Sequence, residues 1–503
     1  MKNIKKVLSV FVIFLTIGIL AACSSKSSPG NESASKDADK PFKITAMVKL
    51  HTQEAPDQRV LDIVAEKTNM ELDIQFVPYT LYPEKVNTVF ATESFPHSVI
   101  LDLDMINQYK EAIRDGQFWE IGPYLDEYEH LSKMNPEVLK NTMIDGKIYM
   151  IYQGKPSSRQ GVIYRKDWAD KLGISTPTNV DEFYEMLRAF TEDDPDGNGK
   201  KDTIGLTNRD DLIFGAFKTV ASWFHTPTNF GLKDEKILPE FMFPEYMETL
   251  DYFRKMHEDG YINQDFPVAS KVDQQAMLKN GTAGAYIGSM GDVESLYNGL
   301  KEVDPEAELD VFNQVAGPDG EFTVWSLPGY GDGIVFPKSS IKTEEELKRI
   351  LSFYDYLMSP EGTNLTFWGI EGDHYQVTDG KAEVINKELF EREVFPLQSM
   401  RIGDEVRDGK LKGLFTYEPK AKAEDLYIDN ENYLIPDATI GLDSPTFLLK
   451  GTSLQQLIDD ATIKYIIRDI DKDGFEAVIE QWKNQGGNEI IEEFSASYKE
   501  MNK

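Results

Sequence analysis

Residues 43–76 read KITAMVKLHTQEAPDQRVLDIVAEKTNMELDIQF, and the periodicities in that stretch decide the fold. The run Lys43–Val48 predicts a strand. Val60, Leu61, Ile63 and Val64 then recur at helical spacing within residues 58–66. Met70, Leu72, Ile74 and Phe76 alternate with Glu71, Asp73 and Gln75, the pattern of a half-buried strand. Strand, helix and strand in that order form the βαβ unit of a parallel sheet, which places the chain in the α/β class.

The same reading extends outward. Residues 98–101, 147–152 and 161–165 predict further strands, as do 283–287 and 333–336. Asn179 and Glu182 form a capping pair that opens a helix to Phe190, with Phe183, Met186, Leu187 and Phe190 on one face. Glu344–Met358 carries Leu347, Ile350, Leu351, Tyr354 and Leu357 on one stripe and stops at Ser359-Pro360. The last 50 or so residues are helical, with Leu454, Leu457, Ala461, Tyr465 and Ile466 as the clearest stripe. These stripes are core positions and not cofactor contacts. No internal repeat is visible.

Composition narrows the function. The chain has 503 residues, 53 Lys plus Arg against 86 Asp plus Glu, and a net charge of −33. A surface this acidic repels phosphate backbones, which argues against nucleic-acid binding. One cysteine excludes a disulfide framework and multi-cysteine metal sites. The length suits two to four domains or one two-lobed body. Lys2, Lys5 and Lys6 precede an uncharged run, residues 7–20, that is shorter than the roughly 20 residues a spanning helix needs. It ends in Leu20-Ala21-Ala22-Cys23, which resembles the bacterial lipoprotein box. Residues 1–22 are therefore expected to be a signal peptide. Cys23 is expected to carry fatty acyl chains, such as palmitate, that hold the protein on the extracellular face of the cell membrane. Residues 23–41 form the anchored cysteine and a Ser-rich flexible tether.

Lipobox, tether and α/β body together resemble an extracellular solute-binding protein of family 1, the substrate receptor of a bacterial ABC importer. Four runs carry the resemblance in order: residues 116–129 (GQFWEIGPYLDEYE), 161–173 (GVIYRKDWADKLG), 333–362, and 367–375 (FWGIEGDHY). The last is similar to the large, oligosaccharide-binding branch. The resemblance implies a type II periplasmic-binding-protein fold, two hinge-linked lobes of interleaved segments closing on a ligand. Lobe one is expected at 42–155 and 331–378, and lobe two at 156–330 and 379–503. A monomer working with permease subunits is implied.

Two runs suit calcium. In Asp194-Pro-Asp-Gly-Asn-Gly-Lys-Lys-Asp202, oxygen side chains stand at Asp194, Asp196, Asn198 and Asp202, Lys200 offers a carbonyl, and Gly199 sits where the chain must turn. The position that closes an EF-hand with a carboxylate is Gly205. The solute-binding branch often carries such a loop after the same helix, which favours a structural Ca2+ here. Residues 469–480 match the EF-hand pattern in full, but Phe475, Val478, Ile479 and Trp482 form a helical stripe directly after Gly474, so a helix start is expected there instead.

Sugars present hydroxyl edges and apolar faces, and two-lobed binders hold them beside strand ends and hinges. The aromatic candidates are Trp223, Tyr286, Trp325, Trp368 and Tyr375, with Ser289 at a strand end. The polar candidates are His51, Asp102, Asp104, Arg159, Glu371 and Arg401. Trp119, Trp168 and Trp482 fit packing. No HExxH, GxSxG, P-loop or Rossmann glycine run occurs, so no catalytic residue is assigned and a non-enzyme is expected. The leading reading is an oligosaccharide receptor. A receptor for a peptide or other solute and a secreted carbohydrate hydrolase are the alternatives.

Overall fold

A computed structural model of the chain describes residues 40–501. The signal-peptide segment, Cys23 and the tether up to residue 39 lie outside the described residues. Residues 42–501 form one compact unit.

The opening βαβ unit is present. β1 (Phe42–Leu50) leads through the helix Gln58–Thr68 into β2 (Met70–Pro78), and the two strands pair in parallel from Phe42↔Met70 to Leu50↔Pro78. Asn69, in left-handed backbone (φ 51°), ends the helix, a conformation its short polar side chain tolerates. β3 (Ser98–Asp102) joins β1 in parallel. β4 (Met150–Gly154) completes this part of the chain. A strand from much later in the sequence, Tyr330–Val335, is inserted antiparallel between β3 and β4.

The second sheet uses β5 (Gln160–Arg165), β6 (Ile204–Thr207), β9 (Ala283–Ser289) and β10 (Leu309–Phe312) in the order β10-β5-β9-β6. Its side chains separate by the two-residue strand period. Val162, Tyr164, Ala285 and Ile287 enter one core, whereas Ile163 and Tyr286 enter another on the opposite face. A hairpin of β7 (Phe230–Lys233) and β8 (Lys236–Pro239) packs beside it. β11 (Val324–Trp325) precedes β12 (Tyr330–Val335), giving the first sheet the order β2-β1-β3-β12-β4. β13 (Tyr375–Thr378) and β14 (Lys381–Val384) form a second hairpin, and β15 (Leu434–Ile435) pairs in parallel with β11.

Each sheet is covered by helices whose stripes were legible. Glu344–Met358 is opened by a Thr343/Glu346 capping box and buries Leu347, Ile350, Leu351, Tyr354 and Leu357 on the first sheet. Each such side chain contributes about 1.5–3 kcal/mol by leaving water. Val180–Glu192 starts at Asn179, whose side chain accepts from the Glu182 N–H at 2.9 Å. The C-terminal helices Pro445–Ile466, Lys472–Trp482 and Asn488–Met501 close the second core. Asp471 caps the middle one by accepting from Gly474 N–H, so residues 469–480 are a helix start.

The chain passes between the sheets at 155–159 and at 326–329. The third passage differs from the expected one. Residues 379–402, expected in lobe two, pack on the first sheet: Val394, Leu397, Met400 and Ile402 belong to its core. Long-range hydrogen bonds hold them there, Ser399 Oγ donating to Lys49 O at 2.6 Å and Gly403 N–H to Tyr152 O at 2.8 Å. The helix Glu418–Asn430 is the next helix and places Ala423 and Tyr427 in the second lobe. Among the described residues no helix is long and apolar enough to cross a membrane.

Candidate ligand-binding cleft

Strand directions dictate where the lobes meet. The ends of β1, β2, β3 and β4 and the start of β12 lie along one edge of the first sheet. The start of β5 and the ends of β6 and β9 lie along one edge of the second, where Gln160 pairs with Ser289 and Thr207 with Tyr286. The first linker joins β4 to β5, so these two edges flank the hinge. Open α/β sheets bind ligands at such carboxyl ends.

On the first lobe the edge carries a buried cation. Lys49, near the end of β1, places Nζ 2.6 Å from Asp332 on β12 and 3.0 Å from Asp102 on β3. Burial pulls the ammonium down, but the two carboxylates outweigh it and hold its pKa above the ordinary value. Asp102 has a second task, accepting from Met105 N–H at 3.0 Å to cap the next helix. Beside this triad Tyr79, directly after β2, is more than half exposed. Its ring stands 5.1 Å from the His51 ring and 5.7 Å from Lys49 Nζ. Burial lowers the His51 pKa, favouring a neutral imidazole. Tyr82 beneath them donates to Met47 O and accepts from Ile100 N–H, tying β1 to β3.

On the second lobe an Asx turn displays an aromatic ring. Asp211 Oδ1 accepts from the N–H groups of Ile213 and Phe214 at 3.0 and 2.9 Å. Gly215 closes the turn so tightly that a Cβ there would lie 2.3 Å from Asp211 O. Phe214 is thereby left exposed, its ring centre 5.7 Å from that of Trp325 in an edge-on arrangement. The floor is a polar network: Arg209 donates to Gln274 and Asp211, and Asn208 N–H to Asn263. At the end of β9 the Ser289 hydroxyl lies 3.3 Å from the Tyr427 hydroxyl. Arg159 is exposed on the first linker.

His51, Asp102, Arg159 and Ser289 thus stand on the two edges, and Asp104 is exposed in the first turn of the helix after β3. Trp223 and Tyr286 are corrected to core residues. Trp223 is 0% exposed with its ring 5.3 Å from Phe183. Tyr286 points to the buried face of its strand and donates to Asp292. Trp325 is buried, donating Nε1–H to Thr219, and supports Phe214. Trp368 donates to Leu411 O and Tyr375 is buried in the β13–β14 hairpin, so both brace the segment after the helix Pro360–Phe367. Glu371 is exposed in the same segment. Arg401 is a packing residue too: Nε donates to Thr366 O, the guanidinium lies 4.6 Å from the Phe367 ring centre, and burial lowers its pKa to about 10. Trp168 and Trp482 are buried as expected. The sequence reading missed Lys49, Tyr79, Asp332 and Phe214.

The loop 194–202 closes on itself. Gly197 and Gly199 are in left-handed backbone, and Gly199 N–H donates to Asp194. Asn198 Nδ2 lies between Asp196 (2.6 Å) and Asp202 (3.1 Å), while its Oδ1 accepts from Lys200 N–H. Gly205 lies within β6 and supplies no carboxylate. Among the described residues no group of three or more acidic, His or Cys side chains is arranged to hold a metal ion.

The fold and the paired edges define a two-lobed binding protein. The family profile of the bacterial extracellular solute-binding proteins matches residues 52–364. The chain belongs to that family. It is 38% identical to the polygalacturonan/rhamnogalacturonan-binding protein YtcQ of Bacillus subtilis (strain 168), over 99% of this chain and 100% of the relative. It is 32% identical to lipoprotein LipO of the same organism, over 95% and 96%. Among solved structures, an extracellular solute-binding protein from Bifidobacterium longum subsp. infantis superposes with a TM-score of 0.73 at 18% identity, covering 93% of this chain and 99% of that one. An EF-hand mutant of the Streptococcus pneumoniae ABC-transporter substrate-binding protein FusA, in complex with fructo-nystose, gives 0.62 at 18% identity, covering 92% and 99%. These two structures share the two-lobed fold.

Proposed function

We propose that this protein is the oligosaccharide receptor of an ABC importer. It closes two lobes on a sugar and delivers it to the permease subunits without cleaving it. One observation carries the reading: each sheet edge at the hinge presents an exposed aromatic ring, Tyr79 and Phe214, beside fixed polar groups. Sugars need that combination, an apolar face to stack and donors and acceptors to orient hydroxyls. The relatives' names support it, and the polygalacturonan of the 38% identical relative makes pectic fragments the first ligands to try.

The mechanism follows from differential binding. A ligand shifts an open–closed equilibrium only by binding one state better. Tyr79, His51 and Asp102 on one lobe, Phe214 on the other and Arg159 on the linker between them contact the same sugar only when the lobes approach. Closure would bury the ring faces and present both lobes to the permease. Asp104 and Glu371 would contribute at the rim.

Cys23 supplies the anchor, which keeps the receptor on the outer face of the cell membrane; the lipoprotein name of the 32% identical relative supports this. Asp194, Asp196, Asn198, Asp202 and the Lys200 carbonyl would hold a structural Ca2+. The donor types suit the ion, and binding would have to draw them together: two carboxylates already converge on the Asn198 amide, and rotating that amide would present its oxygen to the same point. The ion would supply loop stability and no chemistry at the cleft.

A thermal-shift screen of pectic, fructan and other oligosaccharides, with and without chelator, tests the reading. A rise in melting temperature with one sugar class supports it; no shift across the panel contradicts it.

A further inference from the structure

Arginines in this acidic chain are occupied almost without exception. Among the described residues every arginine but one has a hydrogen bond, an ion pair or a ring contact: Arg254 lies over Tyr465, Arg349 over Phe42, Arg401 and Arg407 bond backbone carbonyls, and the others meet carboxylates. Arg159 has none and is exposed. A guanidinium in a protein of net charge −33 does not lack candidate carboxylates. It stands free because the short linker 155–159 between β4 and β5 fixes its backbone at the hinge, where its carbonyl accepts from Met290 N–H at 3.0 Å.

Its surroundings are built rather than incidental. The Tyr427 hydroxyl is placed by Ser289, 3.3 Å away, and packs against Gly291. Gly291 cannot be replaced freely, since a Cβ there would lie 2.2 Å from that hydroxyl. The Arg159 charge acts on the same phenol. A planar cation on the same edge as these hydroxyls, its backbone bonded to Met290 next to Ser289, suits a carboxylate flanked by ring hydroxyls, which Arg binds through two parallel N–H···O bonds. Lys155, on the same linker, is also without an ion pair and adds positive potential toward His51.

We propose that Arg159, with Tyr427 and Ser289, forms a carboxylate-recognising subsite of the cleft, so that the receptor selects acidic over neutral oligosaccharides. This rests on the receptor reading above and adds the substrate class.

Calorimetric titration of the full chain with trigalacturonate and with its carboxyl-reduced, neutral counterpart tests it. The native protein is expected to prefer the acidic trisaccharide, and Arg159→Met to lose affinity for it by roughly 10- to 100-fold while retaining the native melting temperature. Arg159→Lys is expected to recover part of the loss. Unchanged affinity of Arg159→Met for trigalacturonate, or native preference for the neutral sugar, overturns the subsite and leaves the receptor reading standing. If neither these sugars nor any of the wider oligosaccharide panel binds, both fall.

Discussion

Arg114 of the first lobe and Asp443 of the second form an ion pair although 329 residues separate them in the chain. The contact spans the lobes: Ile113 beside Arg114 lies in the first core, and Leu442 beside Asp443 in the second. Lys110 reaches the same carboxylate, and Asp145 holds Arg114 from the other side at 2.8 Å. Asp443 is in turn placed by its N–H bond to Ser497. This is a clasp between the lobes, and it favours the arrangement in which they touch at this point.

Removing the clasp should therefore weaken binding without touching the cleft. Half-exposed ion pairs contribute at most about 1 kcal/mol each after screening. Asp443→Asn is expected to lower ligand affinity about 5-fold, chiefly through faster dissociation, and the effect should shrink in high salt. Surface plasmon resonance at two ionic strengths reads both; a salt-independent effect, or none, speaks against the clasp.

Lys49 is a different kind of pair because it is buried. Lys49→Met would leave Asp102 and Asp332 facing each other without a counter-charge, at a cost of about 3 kcal/mol. Denaturant unfolding should show that loss, and adding Asp102→Asn and Asp332→Asn should restore most of it. Failure of the triple variant to recover would mean that Lys49 acts mainly by packing.

Tyr79 and Phe214 are exposed, so their removal should separate binding from stability. Each alanine variant is expected to keep its melting temperature and to lose about 5- to 10-fold in affinity for the oligosaccharide. Loss of stability with affinity retained would place these rings in packing instead.

His374 sets a pH dependence. Its Nδ1 accepts from Ile370 N–H at 2.9 Å and its Nε2 lies 3.1 Å from Glu393, so the neutral ring is protonated at Nε2. Burial lowers its pKa, with Glu393 opposing. A histidine whose folded pKa is depressed contributes stability in full above its unfolded value of about 6.5, and loses it as pH falls toward the folded value. The native protein should lose stability between pH 7 and 5, and His374→Gln should flatten that slope. An unchanged slope would assign acid sensitivity elsewhere.

How much of this was legible in the sequence depends on range. The βαβ opening and the Glu344–Met358 helix rest on local periodicity and caps, so residues 43–76 and 343–360 disclose them directly. Trp223 and Tyr286 were misread because exposure depends on which face of an element meets a core, and the strand Ala283–Ser289 is buried on both faces. Phe214 carries a local signal that passed unused: Asp211, two aliphatic residues, Phe214 and Gly215 make a turn that must display a ring. Tyr79 follows β2 at the predicted binding edge. The third passage was misplaced because residues 379–402 are held by bonds to Lys49 and Tyr152, hundreds of residues earlier, which no local pattern reveals.

Isothermal titration of an oligosaccharide into the purified protein tests the central claim most directly, because heat distinguishes gripping from cutting. The account predicts a saturable isotherm with one sugar per chain and a return to baseline after each injection. Sustained heat at saturation, from bonds being broken, or no heat with any sugar of the panel, would contradict it.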